Sequence, residues 1–151
     1  MIMPRNDLQR ALAIRLPPVT QAWRQLADKV LAELGVSNST GWCMIFLDRL
    51  GDDVRQIDLA REIGISQPSL VRTLDQLQAS GLVERHVDPE DRRTNKLSLT
   101  VAGSALATRI ETRLAEVRDV LLEGVPDADI ETVLRVCGIL GDRIAQWRAQ
   151  L

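Results

Sequence analysis

The sequence has one histidine, His86, and two cysteines, and these shortages exclude several kinds of chemistry. A zinc or copper centre needs a cluster of histidine and cysteine ligands, which a lone histidine does not provide. An enzyme needs a nucleophile with its base, a metal cluster or a phosphate-binding loop, and no such constellation is present. The nearest carboxylate cluster, Asp88 with Glu90 and Asp91, reads as a solvated turn. The chain is therefore expected to be no enzyme and to carry no cofactor. Cys43 and Cys137 lie far apart inside apolar helical patterns, so buried reduced thiols are expected and a disulfide is not. Neither has the cationic neighbours that activate a thiol. No apolar run is long enough to span a membrane, and the opening MIMPRNDLQRALAIRLPP interleaves charge with apolar residues, unlike a signal peptide. A cytoplasmic location is the expectation.

A basic excess is also missing. The formal net charge is −2, whereas a nucleic-acid binder usually announces itself by surplus lysine and arginine. From Arg55 to Lys96 the cations Arg55, Arg61, Arg72, Arg85, Arg92, Arg93 and Lys96 are matched by Asp58, Glu62, Asp75, Glu84, Asp88, Glu90 and Asp91. What matters at a DNA surface is placement: Arg72, Arg92, Arg93 and Lys96 can face a duplex while Asp58, Glu62 and Asp88 lie elsewhere.

The most informative stretch runs from Ile57 to Leu82. Ile57, Leu59, Ala60 and Ile63 recur at helical spacing, Gly64 supplies a helix stop, and Ile65 plugs the turn that follows. Ser66 then caps a second helix that carries Pro68 in its first turn, where a missing N–H costs least. Leu70, Val71, Leu74 and Leu77 form its inward stripe, leaving Gln67, Ser69, Arg72, Thr73, Asp75 and Gln76 outward or at the flanks. An ordinary amphipathic helix pair has the same spacing, but a face of Gln, Ser, Arg and Thr suits the reading of base edges. Gly81 ends this helix. Leu82, Val83, Arg85 and Val87 give a strand, Asp88 to Asn95 a charged loop, and Lys96 to Thr100 a second strand. A hairpin directly behind a helix-turn-helix is a wing, and its tip DPEDRRTNK can reach phosphates or a minor groove. His86, in the first wing strand, reads as a strand-surface residue or a phosphate contact.

On these residues the chain resembles the MarR family of transcriptional regulators. The segments QPSLVRTLDQL, GLVER, DPEDRR and LSLTVAG carry the resemblance, and the first of them is similar to the SlyA-like branch. The implied fold is mainly α with a small β-hairpin wing. A winged helix-turn-helix over residues 52–100 is flanked by dimerisation helices at 1–35 and 101–151. The resemblance also implies that Asp91 holds the Arg93 guanidinium for minor-groove entry, which agrees with the tendency of a carboxylate to fix that planar fork. Arg92 and Lys96 are then phosphate contacts. The DNA-contacting set is expected to be Ser66, Gln67, Pro68, Ser69, Arg72, Thr73 and Gln76 with Asp91, Arg92, Arg93 and Lys96.

The flanking segments read as helices with long apolar stripes. Leu8, Leu12, Ile14 and Leu16 precede Pro17 and Pro18, which are expected to break or kink the first helix. Val19, Trp23, Leu26, Ala27, Val30, Leu31 and Leu34 follow them. A helix from Val101 to about Glu123 carries Leu106, Ile110, Leu114, Val117 and Leu121. The last, with Asp127 as its cap, carries Ile130, Val133, Leu134, Cys137, Leu140, Ile144, Trp147 and Leu151. Such stripes serve either as the core of one subunit or as a dimer seam. One recognition helix reads few base pairs, so a homodimer on a pseudo-palindromic stretch of double-stranded DNA is expected.

The resemblance implies a site for a small aromatic carboxylate or phenolic effector between the helices and the winged region. Its expected lining is Leu16, Val19, Trp23 and Arg24, then Ser39, Thr40, Trp42, Cys43 and Phe46, with Ile63 and Arg72 at the border. Arg24 would meet a carboxylate and the aromatics would form apolar walls, although core packing is the stronger expectation for Trp42 and Phe46. Repression is the family default, and the SlyA-like branch implies activation by displacing other DNA-binding proteins. A winged helix that binds protein is the remaining alternative, but such an interface would more often expose aromatics than Gln67, Ser69 and Arg72.

Overall fold

Local signals set the boundaries of the central elements in the computed structural model, which describes residues 3–150. Helix α1 spans Arg5–Glu33 and α2 Asn38–Leu50, followed by a two-residue strand β1, Val54–Arg55. Helix α3 is Gln56–Ile63 and α4, the second helix of the pair, is Gln67–Ala79. Strands β2 (Val83–Val87) and β3 (Asn95–Leu99) make the wing, and α5 (Val101–Leu121) and α6 (Asp127–Arg148) complete the chain. It divides into two units, one ending at Val117 and the other beginning at Arg118. The mainly helical class with a β-hairpin wing is as expected. Among the described residues no single helix is long and apolar enough to cross a membrane.

Gly64 ends α3 in the left-handed conformation at φ 78°, and the Ser66 hydroxyl accepts the Ser69 amide at the start of α4. Pro68 sits in that first turn, where its lost donor has no intrahelical partner anyway. The inward stripe of α4 differs from the expected one. Leu70, Thr73, Leu74 and Leu77 are buried, with Thr73 only 6% exposed, while Val71 is 38% exposed. These buried positions follow i, i+3, i+4 and i+7, the geometric face of a helix, so helical phase overrides the hydropathy of Val71. Ile57 is likewise exposed, unlike its expected place in the inward pattern of α3.

The core of the first unit joins α1, α2, the helix pair, the sheet and α5 through Leu31, Met44, Leu47, Leu59, Leu74, Leu97 and Ile110. Strand order is β1-β3-β2 and all pairings are antiparallel. Val54 pairs with Leu97, and Val83 with Leu99, placing the three buried strand residues Val54, Val83 and Leu97 on the core. The expected hairpin is therefore one strand wider than predicted.

Three expectations for the flanking helices are corrected. Helix α1 runs without a break through Pro17 and Pro18. The prolines remove the donors that would serve the carbonyls of Ala13 and Ile14, but both residues are exposed, so water can take their place. The Thr20 hydroxyl donates to the Leu16 and Pro17 carbonyls, adding local bonds where the ladder is interrupted. In α6 no residue is buried, and Cys137 is exposed rather than sequestered. Pro126, not Asp127, occupies the cap position, and Asp127 and Asp129 lie in the first turn, where acidic residues favour the helix dipole. Leu151, the end of the expected stripe, and residues 1–2 lie outside the described residues.

The start of α5 is locked onto the end of the helix pair. The Thr100 hydroxyl accepts the Gly103 amide at 3.0 Å and donates to the Gly81 carbonyl at 2.6 Å. The Thr100 amide donates to the Leu82 carbonyl at 3.1 Å. Gly103 lies so close that a Cβ there would be 2.0 Å from the Leu82 carbonyl oxygen. Because backbone blocks the space, Gly103→Ala is expected to lower stability by about 3 kcal/mol, the upper end of overpacking costs. A reduced urea midpoint with unchanged m-value is the expected result.

Candidate nucleic-acid interface

Helical phase divides the exposed surface of α4 into a ridge and two flanks. Pro68, Arg72 and Asp75 follow one another at four and three residues, opposite the buried stripe, and put Arg72 in the middle of the outward face. Gln67 lies on the flank toward the wing, in a notch with Arg93. Ser69 and Thr73 lie on the other flank, lining a cleft beside Trp42. Gln76 borders a separate groove with Leu34, Val36 and Ser80. Thr73, expected among the DNA contacts, is buried, and its hydroxyl donates to the Ser69 carbonyl at 3.3 Å. Ser66 and Ser69 bond to each other, hydroxyl to hydroxyl at 2.9 Å, so Ser66 acts in the fold as a cap.

The wing tip is held by two aspartates. Asp88 is 7% exposed and its Oδ1 accepts the Glu90 amide at 3.0 Å, while its amide donates to the Thr94 carbonyl. Lys96 Nζ stands 3.6 Å from Asp88 Oδ2. This corrects the expectation that Asp88 lies away from the interface cations: the buried carboxylate draws the Lys96 ammonium to itself. Asp91 is corrected too. Its Oδ1 accepts the backbone amide of Arg93 at 3.0 Å and its Oδ2 accepts the Thr94 hydroxyl at 2.8 Å. The carboxylate thus fixes the backbone that carries Arg93, rather than gripping its guanidinium. The Arg93 amide, followed by the Thr94 hydroxyl, holds the Asp91 carboxyl below its ordinary pKa.

Arg85 has a role that hydropathy and motif reading missed. Its Nη1 donates to Asp75 Oδ1 at 2.6 Å and its Nη2 to the Val71 carbonyl at 3.2 Å, so strand β2 grips two successive turns of α4. Its Nε is buried without a partner. The signal available in the sequence was an arginine ten residues after an aspartate across the Gly81 turn. His86, by contrast, is on the sheet surface, where Nε2 lies 3.0 Å from Asp53 Oδ1 and 3.4 Å from Ser98 Oγ. Arg55 and Arg61 both pair with Asp58. Of the seven cations from Arg55 to Lys96, Arg72, Arg92 and Arg93 have no carboxylate partner among the described residues.

A second depression of about 250 Å³ lies between α1, α2 and the inner flank of the helix pair. Four of the expected effector residues, Arg24, Ser39, Trp42 and Ile63, line it. Asp28, Asn38, Ile65, Ser69 and Thr73 also line it and were not anticipated there. The Arg24 guanidinium sits 4.5 Å over the Trp42 ring, and the Trp42 indole N–H donates to Asp28 Oδ1 at 2.9 Å. The cation is thereby stacked, and the acid beside it is engaged by a neutral donor. The other expected residues do not line this cleft. Leu16 is half-buried, Val19 and Trp23 are exposed on α1, Thr40 borders the groove with Met44 and Leu77, and Arg72 is exposed on the opposite face. Phe46 packs against the core beside Trp42, ring centroids 6.3 Å apart.

Cys43 is a fully buried core residue, and burial pushes its thiol up to about 12. Cys43 is therefore expected to stay unreacted with Ellman's reagent at pH 8 in the native protein and to react after denaturation, so that Cys43→Ser leaves the native titre unchanged; a lower native titre in that variant would contradict the burial of Cys43. For Asp91 the sign is the reverse of burial. Its folded pKa is depressed, so its hold on the wing is complete above the ordinary aspartate range and is lost as pH falls through the lowered value. Carboxyl NMR titration is expected to give Asp91 a midpoint below an unstructured aspartate, and Thr94→Val is expected to raise it.

Residues 34–94 match the model of the MarR family. The transcriptional regulator PA3341 is 32% identical, with the match covering 87% of this chain and 98% of that one at a TM-score of 0.75. Two further solved structures, each 24% identical, show the same fold. The transcriptional repressor CouR, bound to a 23-mer DNA duplex, matches 93% of this chain and 99% of its own at a TM-score of 0.71. NadR, in complex with 4-hydroxyphenylacetate, matches 84% and 89% at 0.77. With the capped helix pair, the wing behind it and this agreement over nearly its whole length, the chain belongs to the MarR family of DNA-binding transcriptional regulators.

Proposed function

We propose that the chain represses transcription as a homodimer on a pseudo-palindromic operator and is released by a small aromatic or phenolic acid. The observation that carries the DNA-reading part is the conjunction of Gln67 and Arg93 in one notch, beside the outward Arg72. It puts a major-groove reader and a wing cation on one continuous surface. The assignment of residues is narrower than the sequence suggests. Arg72 and Gln67 read bases, Arg93 enters the minor groove, Arg92 meets phosphate, and Asp91 positions the wing backbone. Residues 52–100 form the DNA-binding region in this reading.

The dimer is supported by exposed apolar residues on two helices. On α1, Leu8, Leu12, Ile14 and Val19 are exposed; on α6, Val133, Leu134, Ile144 and Trp147 are. Residues 1–35 and 101–151 are accordingly assigned to dimerisation. The effector reading rests on the cleft with Arg24 stacked on Trp42: a guanidinium for a carboxylate beside an aromatic wall and hydroxyl donors. NadR holds 4-hydroxyphenylacetate, and a compound of that class fits this chemistry. A SlyA-like activator without an obligatory effector is the second reading, favoured by the QPSLVRTLDQL segment. A cytoplasmic location accompanies either.

A mobility-shift experiment on the DNA upstream of the gene tests the reading. The full chain is expected to retard that DNA, and absence of any shift at low salt with an intact dimer would sink the proposal. Arg72→Ala is expected to cost roughly 1–3 kcal/mol and to relax base preference. Arg93→Ala is expected to weaken binding most at sites with A·T-rich flanks. A thermal-shift screen of aromatic carboxylates separates the two readings, because a ligand that binds only the folded state raises its melting temperature.

A further inference from the structure

The notch between the helix pair and the wing is lined by polar residues that the base-reading role does not use. It is an opening of about 220 Å³ lined by Gln56, Ile57, Gln67, Arg93, Thr94 and Asn95. Its lining residues carry three primary amides and a guanidinium but no carboxylate, and the Thr94 hydroxyl among them is already given to Asp91. The nearby acids are committed: Asp91 to the Arg93 amide and the Thr94 hydroxyl, Asp58 to Arg55 and Arg61. A donor-rich opening of that kind suits an oxyanion, and its volume is several times the roughly 30 Å³ share of a water molecule.

Groove geometry identifies which oxyanion. The major and minor grooves of B-DNA are separated by a single sugar-phosphate strand. If Gln67 and Arg72 read the major groove while Arg93 enters the adjacent minor groove, the surface between them faces that strand. The surface between them is the notch. We propose that it seats one backbone phosphate per half-site, held by Gln56 and Asn95 together with Arg93. This rests on the DNA-binding reading and adds two residues to it, one from the start of α3 and one from the start of β3.

The test uses a duplex selected from a random pool by the full wild-type chain. Gln56→Ala and Asn95→Ala are each expected to lower affinity about tenfold, the size of a lost hydrogen bond to a charged group. Both amides are neutral, so the dependence on salt should stay as in wild type, whereas Arg93→Ala should lower its slope by about one. Methylphosphonate placed in turn at each backbone position should locate one phosphate per half-site whose neutralisation hurts the wild type but adds little to the Gln56→Ala/Asn95→Ala double variant. Circular dichroism and dimer sizing confirm that each variant is folded. Wild-type affinity in both single variants, with Arg72→Ala still impaired, would overturn the phosphate seat and leave the DNA reading standing. Failure of the wild type to select any duplex would overturn both. Inorganic phosphate that shifts the Gln56 and Asn95 side-chain amide resonances, while the duplex ignores both substitutions, would assign a free anion and overturn the proposal.

Discussion

The interface depends on one arginine that is not part of its exposed face. Arg85 reaches from β2 to Asp75 and to the Val71 carbonyl, and so fixes the angle between the wing and the second helix of the pair. Without such a tie, the two elements would meet only through the Gly81 turn and the core beneath. The tie is not optimised for stability. Its Nε is buried and unpaired, and an unsatisfied buried donor costs about 1–3 kcal/mol. What that cost maintains is orientation: the ridge bearing Arg72 and the loop bearing Arg93 keep a constant offset, which a groove-spanning contact requires.

The neutral charge balance of the central segment acquires a meaning once its ions are sorted by partner. Arg55 and Arg61 are tied to Asp58, Arg85 to Asp75 and Lys96 to Asp88. These pairs organise the fold, and their fields largely cancel at a distance. The arginines left unpaired lie on the outward helix and the wing. Net charge is a sum over both populations and therefore understates the local field.

Much of the fold was legible because it is written in single residues with strong backbone preferences. Gly64, Ser66, Pro68 and Gly81 mark the boundaries of the helix pair in the sequence and occupy those positions in the structure. β1 was not legible, since two residues carry no periodicity. Val71 is exposed and Thr73 buried because helical phase, not hydropathy, sets the inward face of α4. The partners of Asp91 and Lys96 were illegible for another reason: a carboxylate in a tight loop chooses among donors a few ångströms apart, and sequence spacing does not rank them. The cleft was half legible. Arg24 and Trp42 were recognised by chemistry, but Thr40 lies across α2 from Trp42 and borders another groove, and Cys43 is buried in the core, a distinction that needs the phase of α2.

The continuity of α1 through two prolines has a consequence for cooperativity. No residue before Ala27 in that helix is buried within the chain, and Pro17 and Pro18 interrupt the hydrogen-bond ladder between its exposed and buried parts. Propagation of helix depends on that ladder, so the first turns draw less support from the core than the last ones do. In an isolated chain their amides exchange with solvent early. Any surface that covers Leu8, Leu12 and Ile14 therefore supplies the free energy that keeps these turns ordered, and assembly and local folding become one equilibrium.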